Sequence, residues 1–207
     1  MSDNVEVEEF TPMKKNPKIT AQTRENLLQA FWSLYRQKKI EHITIKDITT
    51  KAGYNRSTFY EYFVDIYDVL NQLEDSLLGD LKEKVLDSLE DGLNQDVIQK
   101  LADMYESKGE YLGILLGESG DPNFTKKMKT VLRPALMNVF GLPENDIRVS
   151  YIFEFGMSGI IGTITHWYHI NKNLPSPEIV RLIRSMLATG ISSEIQKYSN
   201  RVSSISR

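Results

Sequence analysis

Residues 43–63, ITIKDITTKAGYNRSTFYEYF, constrain this chain more tightly than any other stretch, because their caps and breakers define a local structure on their own. Thr44 suits an N-cap and Asp47, three positions on, can reach back to its amide, so a helix is expected from Ile45 to about Ala52. Gly53 ends it, since glycine accepts the left-handed backbone of a helix terminus. Asn55 then caps a second helix, expected from Arg56 to Phe63. Two helices joined by so short a turn must cross steeply, which is the helix-turn-helix arrangement that lays its second helix in the DNA major groove. Phe59 and Phe63 share one face of the second helix, directed at Ile45 and Ile48 of the first. The opposite face presents Arg56, Ser57, Tyr60 and Glu61, flanked by Asn55, Thr58 and Tyr62. That set can donate and accept hydrogen bonds at base edges and phosphates, although a helical hairpin without DNA shows the same spacing.

Charge separates the two possibilities. The chain carries a formal net charge of -3, but residues 14–63 hold ten Lys or Arg against four acids, a local net of +6. Residues 1–13 carry -4 and residues 64–207 carry -5. One basic end on an acidic remainder is the footprint of a polyanion-binding module.

Thr44, Ile45, Ile48, Ala52-Gly53, Arg56, Thr58-Phe59-Tyr60, Tyr62-Phe63 and Leu70 resemble the DNA-binding signature of TetR-type (tetracycline-repressor-like, AcrR-like) transcriptional regulators, over about fifty residues from Thr20 to Leu70. The resemblance implies an all-α fold with a three-helix DNA-binding head and a larger helical body for ligand binding and dimerisation. It also implies a palindromic double-stranded operator. Arg56 is then the first choice for reading a guanine, Thr44, Lys46, Tyr60 and Tyr62 for phosphates, and Asn55, Ser57 and Thr58 for either, with Tyr54 beside them. Where the family usually places a lysine at the start of the following helix, this chain has Ile66 between Asp65 and Asp68.

The expected divisions are a flexible arm at 1–17, poor in large apolar residues; the helix-turn-helix domain at 18–66; and the body at 67–207. In the first helix Leu27, Leu28, Phe31, Leu34 and Tyr35 recur at helical spacing and should close the head's core. Asp65 can cap a helix running to about Leu89, and Gly92 and Asn94 precede another over about Gln95 to Ser107. A short helix from Gly109 through Leu116 and a loop at 117–120 come next. Asp121-Pro122 reads as an N-cap with proline at the first helical position. Pro134 should kink that helix. The last two helices are expected at about Pro143 to Ile170 and Ser176 to Tyr198.

Between Glu154 and Lys172 no Lys, Arg, Asp or Glu occurs, and small residues recur at three- and four-residue steps. An uncharged helix of this kind is expected to pack in a two-fold four-helix bundle through Gly156, Gly159, Ile160, Thr163 and Trp167, with Ile179, Ile183, Met186 and Leu187 of the last helix. Met104, Tyr105, Tyr111, Phe124, Met128, Met137, Tyr151 and Phe155 are the pocket candidates, flexible or aromatic side chains suited to a mostly apolar effector. His166 and His169 share a helical face, but no acid or thiol near them completes a metal set. No phosphate loop, G-x-S-x-G or H-E-x-x-H is present, so neither enzyme nor cofactor is expected. The absence of cysteine and of an apolar span or leader predicts a cytoplasmic protein without a membrane partner. The function these features predict is a homodimeric, ligand-responsive repressor. An activator or co-regulator acting through a partner protein, and a helical small-molecule-binding or enzymatic protein without DNA binding, are the competing readings.

Overall fold

The structure, a computed structural model, describes residues 17–90, 95–117 and 120–190. Every regular element among them is helical: α1 (Pro17–Tyr35), a 3-10 turn (Ile40–His42), α2 (Ile45–Ala52), α3 (Arg56–Tyr60), α4 (Ile66–Glu90), α5 (Gln95–Ser107), α6 (Gly109–Leu115), α7 (Phe124–Val139), α8 (Ile147–His169) and α9 (Ser176–Thr189). The chain forms two compact units, residues 1–71 and 72–207, with α4 carrying the boundary. The expected arm at 1–17 lies, apart from Pro17, outside the described residues, as do Gly92, Asn94 and the stretch from 191 to Tyr198.

In the first unit the caps act as the sequence demands. Thr44 Oγ1 accepts from the Asp47 amide at 3.1 Å while Asp47 Oδ2 accepts from the Thr44 amide at 3.0 Å, a complete capping box. Gly53 closes α2 with φ 76°, a left-handed turn that costs a residue with a Cβ about 1–2 kcal/mol. The core is aromatic. Leu27, Phe31 and Tyr35 of α1, Ile48 of α2, and Phe59 and Phe63 are buried, with the Phe31 and Tyr35 rings stacked at 5.5 Å. Leu28 and Leu34 of the expected stripe are only half-buried. The second helix is shorter than expected. Regular α3 ends at Tyr60, and the Tyr62 and Phe63 amides both donate to the Phe59 carbonyl at 3.0 Å, a tightened turn that still delivers Phe63 to the core.

In the second unit α5 packs along α9, α6 and α7 against α8, and α8 against α9. Ala102, Ile164, Trp167, Ile179, Val180 and Ile183 form one buried cluster there. The Trp167 indole donates to the Leu174 carbonyl at 2.9 Å, fixing the turn into α9. Asn171 and Lys172 take left-handed φ of 57° and 52° in that turn, with the Lys172 ammonium over the Trp167 ring and beside Glu106. Three expected boundaries move. Asp121 Oδ1 accepts from the Asn123 amide at 2.9 Å, so Asp121-Pro122 forms a turn and α7 starts only at Phe124. Asp146 is the residue that caps α8, accepting from the Arg148 amide at 2.7 Å, which leaves Pro143 in the loop before it. Gly190, at φ 79°, ends α9 well before Tyr198.

Candidate nucleic-acid interface

The sequence-derived interface residues lie on the short α2–α3 hairpin and the turn after it, all of them exposed or half-buried. Thr44, Lys46, Asn55, Arg56, Ser57 and Tyr60 are exposed, and Tyr54, Thr58 and Tyr62 are half-buried at the margin. What each can offer follows from the bonds it already makes. The Asn55 side-chain carbonyl accepts from the Thr58 amide at 2.8 Å, from Ser57 Oγ at 2.6 Å and from Thr58 Oγ1 at 3.0 Å. The cap thus consumes its acceptor, and its NH₂ remains as the group to offer a base or phosphate. The Thr44 hydroxyl accepts from the Asp47 amide and also bonds the Asp47 carboxylate, so the capping box engages it on both sides. Arg56 lies along its own helix, its guanidinium 5.6 Å from the Tyr60 ring centroid and Nη2 3.0 Å from the Tyr60 hydroxyl. The Asp47 carboxyl is held below the usual carboxylate range by the hydrogen bond from Lys38, 2.9 Å away, and then by the Thr44 amide. Asp47 is thereby committed to the scaffold, linking Lys38 to the start of α2.

Position 66 is closed as well as uncharged. Asp65 Oδ1 accepts from the Asp68 amide at 2.8 Å, and Asp68 Oδ2 accepts from the Val64 amide at 2.8 Å. Two carboxylates of the chain itself thus occupy the entry to α4, and Ile66 is half-buried between them.

In the second unit the structure redistributes the expected residues. Trp167, Ile179 and Ile183, placed by the sequence in a dimer interface, are 1%, 4% and 9% exposed and belong to the unit's own core, with Ile160 and Met186 packed against them. The physical reason is that the absence of charge marks burial of any kind and does not say against what. Gly156, Gly159, Thr163 and Leu187 do remain accessible to differing degrees, and a Cβ at Gly159 would meet nothing within 4 Å. Conversely Tyr151 and Phe155, placed by the sequence in a pocket, stand 72% and 73% exposed. With Ile147 and Ile152 they form an apolar stripe along the outer side of α8 that continues over Gly159 and Gly162 to His166 at one-turn steps. Ile147 and Ile152 were missed, although four-residue spacing from Ile147 through Tyr151 and Phe155 was the signal.

The other pocket candidates differ in their surroundings. Met104, Phe124 and Met128 are buried. Tyr105 packs edge-on against Trp167 with its phenol pushed up to about 12 by burial, and Tyr111 is half-buried. Only Met137 lines the apolar groove between α7 and α8, about 150 Å³ in volume, together with Leu136, Phe140, Ile152, Phe153 and Gly156. Lys129, paired with Glu154 and 2.9 Å from Ser158 Oγ, and Arg133, stacked on Phe153, also join these two helices. His166 and His169 are exposed, and among the described residues no group of three metal-binding side chains occurs.

One titratable residue had no sequence signal. Glu74 on α4 is fully buried. Its Oε2 is 3.3 Å from Lys127 Nζ, and its Oε1 has no hydrogen-bond partner among the described residues. Desolvation pushes its carboxyl up to about 7 against the pull of Lys127, which is shared with Asp75 at 2.8 Å.

A helix-turn-helix unit with an exposed polar face, joined to an all-helical second unit, defines the class: a two-part all-helical protein with a helix-turn-helix. Residues 94–189 match the family model described as the C-terminal region of a TetR-type transcriptional regulator. That segment is thus similar to the C-terminal region of TetR-type regulators, and the chain as a whole has the fold of such regulators. A TetR regulator from Streptococcus agalactiae superimposes with TM-score 0.60 at 22% identity, over 82% of this chain and 96% of the other. The fatty acid degradation regulator FadR of Bacillus halodurans gives 0.62 at 17%, over 86% and 98%. The FadR repressor of Thermus thermophilus, solved with lauroyl-CoA, gives 0.50 at 19%, over 81% and 94%. These likenesses are of fold. No curated protein is significantly similar in sequence. No helix among the described residues is long and apolar enough to cross a membrane.

Proposed function

We propose that this chain is a ligand-responsive transcriptional regulator, a repressor, that binds a palindromic operator as a homodimer. The observation that carries the reading is the α2–α3 hairpin. It leaves Asn55, Arg56, Ser57 and Tyr60 exposed, within the basic stretch 14–63, while Phe59 of α3 is buried beneath. Arg56 reads a guanine edge; Thr44, Lys46, Tyr54, Tyr60 and Tyr62 hold phosphates; Asn55, Ser57 and Thr58 serve either.

The dimer face is the apolar stripe of α8, Ile147, Tyr151, Ile152 and Phe155, extended by Gly159 and Leu187. Two-fold pairing through it places two recognition helices on half-sites, which require a separation of about 34–36 Å. An apolar effector bound in the body shifts the population of that arrangement by its differential affinity for the two states. The effector reading is supported by the apolar α7–α8 groove and by the lauroyl-CoA complex of the Thermus protein of like fold. The protein acts in the cytoplasm, where operators are.

Selection of bound fragments from the source genome tests this directly. Enrichment of a palindrome, bound with log affinity falling linearly in log salt, is the expected result. Failure to retain any duplex at low salt would remove DNA binding.

A further inference from the structure

The exposed side of α1 carries a hydrogen-bond chain that runs from Gln22 through Asn26 to Tyr54. Gln22 and Asn26 lie one helical turn apart, and Gln22 Nε2 donates to Asn26 Oδ1 at 2.9 Å. Asn26 Nδ2 in turn donates to the Tyr54 hydroxyl at 2.9 Å, across a separation of 28 residues. Tyr54 sits in the turn between α2 and α3, its amide bonded to the Thr49 carbonyl at 2.9 Å, so its backbone is held independently of its ring.

We propose that Gln22 and Asn26 are positioning residues that aim the Tyr54 hydroxyl proton at a DNA phosphate. The argument is one of polarity. A phenol oxygen that accepts from an amide has its own O–H left to give, and both amides upstream donate in the same direction. Bonds aligned head to tail polarise one another, so each strengthens the terminal donor, and that donor meets an anion. An acceptor at position 26 would do the reverse. It would draw the Tyr54 proton inward and present a lone pair to the phosphate. Asn26 is therefore the residue that sets the sign of the contact, although it need not touch DNA. Since phosphates carry no sequence information, the chain contributes affinity to every duplex alike.

The inference rests on the DNA-binding reading, and four full-length proteins separate the two: wild type, Tyr54→Phe, Asn26→Asp and the double variant. Their affinities are measured at one fixed salt concentration on the selected operator and on an unrelated duplex. Their thermal midpoints are measured free of DNA. Tyr54→Phe should weaken both duplexes by roughly tenfold, the loss of one hydrogen bond to a charged group. Asn26→Asp should cost at least as much in the native background but only about threefold in the Tyr54→Phe background, where just its added charge remains. Because a carboxylate accepts from the tyrosine as well as an amide donates to it, Asn26→Asp should leave the thermal midpoint unchanged or raised while affinity falls. A merely structural contact would lower the midpoint instead. Equal costs of Asn26→Asp in both backgrounds, no effect of Tyr54→Phe, or a coupling seen in the midpoint and not in affinity would each overturn the proposal. A wild type that binds neither duplex would sink the DNA-binding reading and this inference together.

Discussion

Truncation of Phe155 gives the sharpest test of the α8 face. The side chain is 73% exposed in the single chain, and a phenylalanine offers about 200 Å² to bury, so roughly 150 Å² of its surface awaits a partner. Phe155→Ala removes on the order of 100 Å² of that, worth about 2.5 kcal/mol at ~25 cal/mol per Å². A two-fold interface counts the substitution twice. Area converts to affinity only after ordering costs, so about half of the doubled figure is expected to appear, ~2–3 kcal/mol, raising the dimer dissociation constant by roughly 30- to 150-fold. Sedimentation equilibrium across nanomolar to micromolar protein reads this directly. Because most of the Phe155 side chain is exposed among the described residues, the circular dichroism spectrum and the monomer's cooperative unfolding should be unchanged. An unaltered dissociation constant, a wild type that is monomeric at micromolar concentration, or a variant that loses its fold would each refute the assignment of the stripe to a dimer.

Three further outcomes are expected. Arg56→Ala should weaken operator binding by about 1–3 kcal/mol and barely change binding to unrelated DNA, and equal losses on both would remove Arg56 from base readout. Trp167→Ala should destabilise the second unit by about 3–5 kcal/mol in denaturant titration, since the indole is 1% exposed within the chain's own core; a loss of dimerisation at full stability would return Trp167 to the interface. Glu74 should make stability fall as pH rises. Burial pushes its folded carboxyl up to about 7 from an ordinary 4.5, so the stability of its protonated form is complete below pH 4.5 and is lost as pH climbs through 7. The full shift is worth about 3 kcal/mol, and screening through the part-exposed Lys127 trims the change between pH 5.5 and 7.5 to about 1–2 kcal/mol. Glu74→Gln should flatten that part of the profile in thermal melts, and parallel profiles for the two proteins would show that another group titrates.

The two units differ in how much of them could be read in advance, and the difference is physical. Thr44, Asp47, Gly53 and Asn55 act within one turn of where they stand, so a local reading placed α2 and the start of α3 correctly. The same locality failed at Asp121. Its side chain had two nearby uses, as a helix cap or as the acceptor of a turn, and only the packed chain selected the turn. It failed also for Phe63, whose burial is reached through a tightened turn and not through a longer helix.

In the second unit, side-chain type identified apolar surface but not its partner. Trp167 and Phe155 look alike in a sequence, both large aromatics on an uncharged helix. They lie on different sides of α8, and α5 and α9 cover only one of those sides, so the first is core and the second open. Glu74 shows the same limit from the polar side. A glutamate among leucines on a long helix reads as a surface residue until Lys127, 53 residues later, is laid over it. What the sequence determined alone was therefore what acts over a few residues: helix type, caps, the order of the hairpin and the sign of its charge. What only the tertiary structure decided was which face of each helix met another, because that depends on contacts between segments whose separation along the chain carries no periodicity to read.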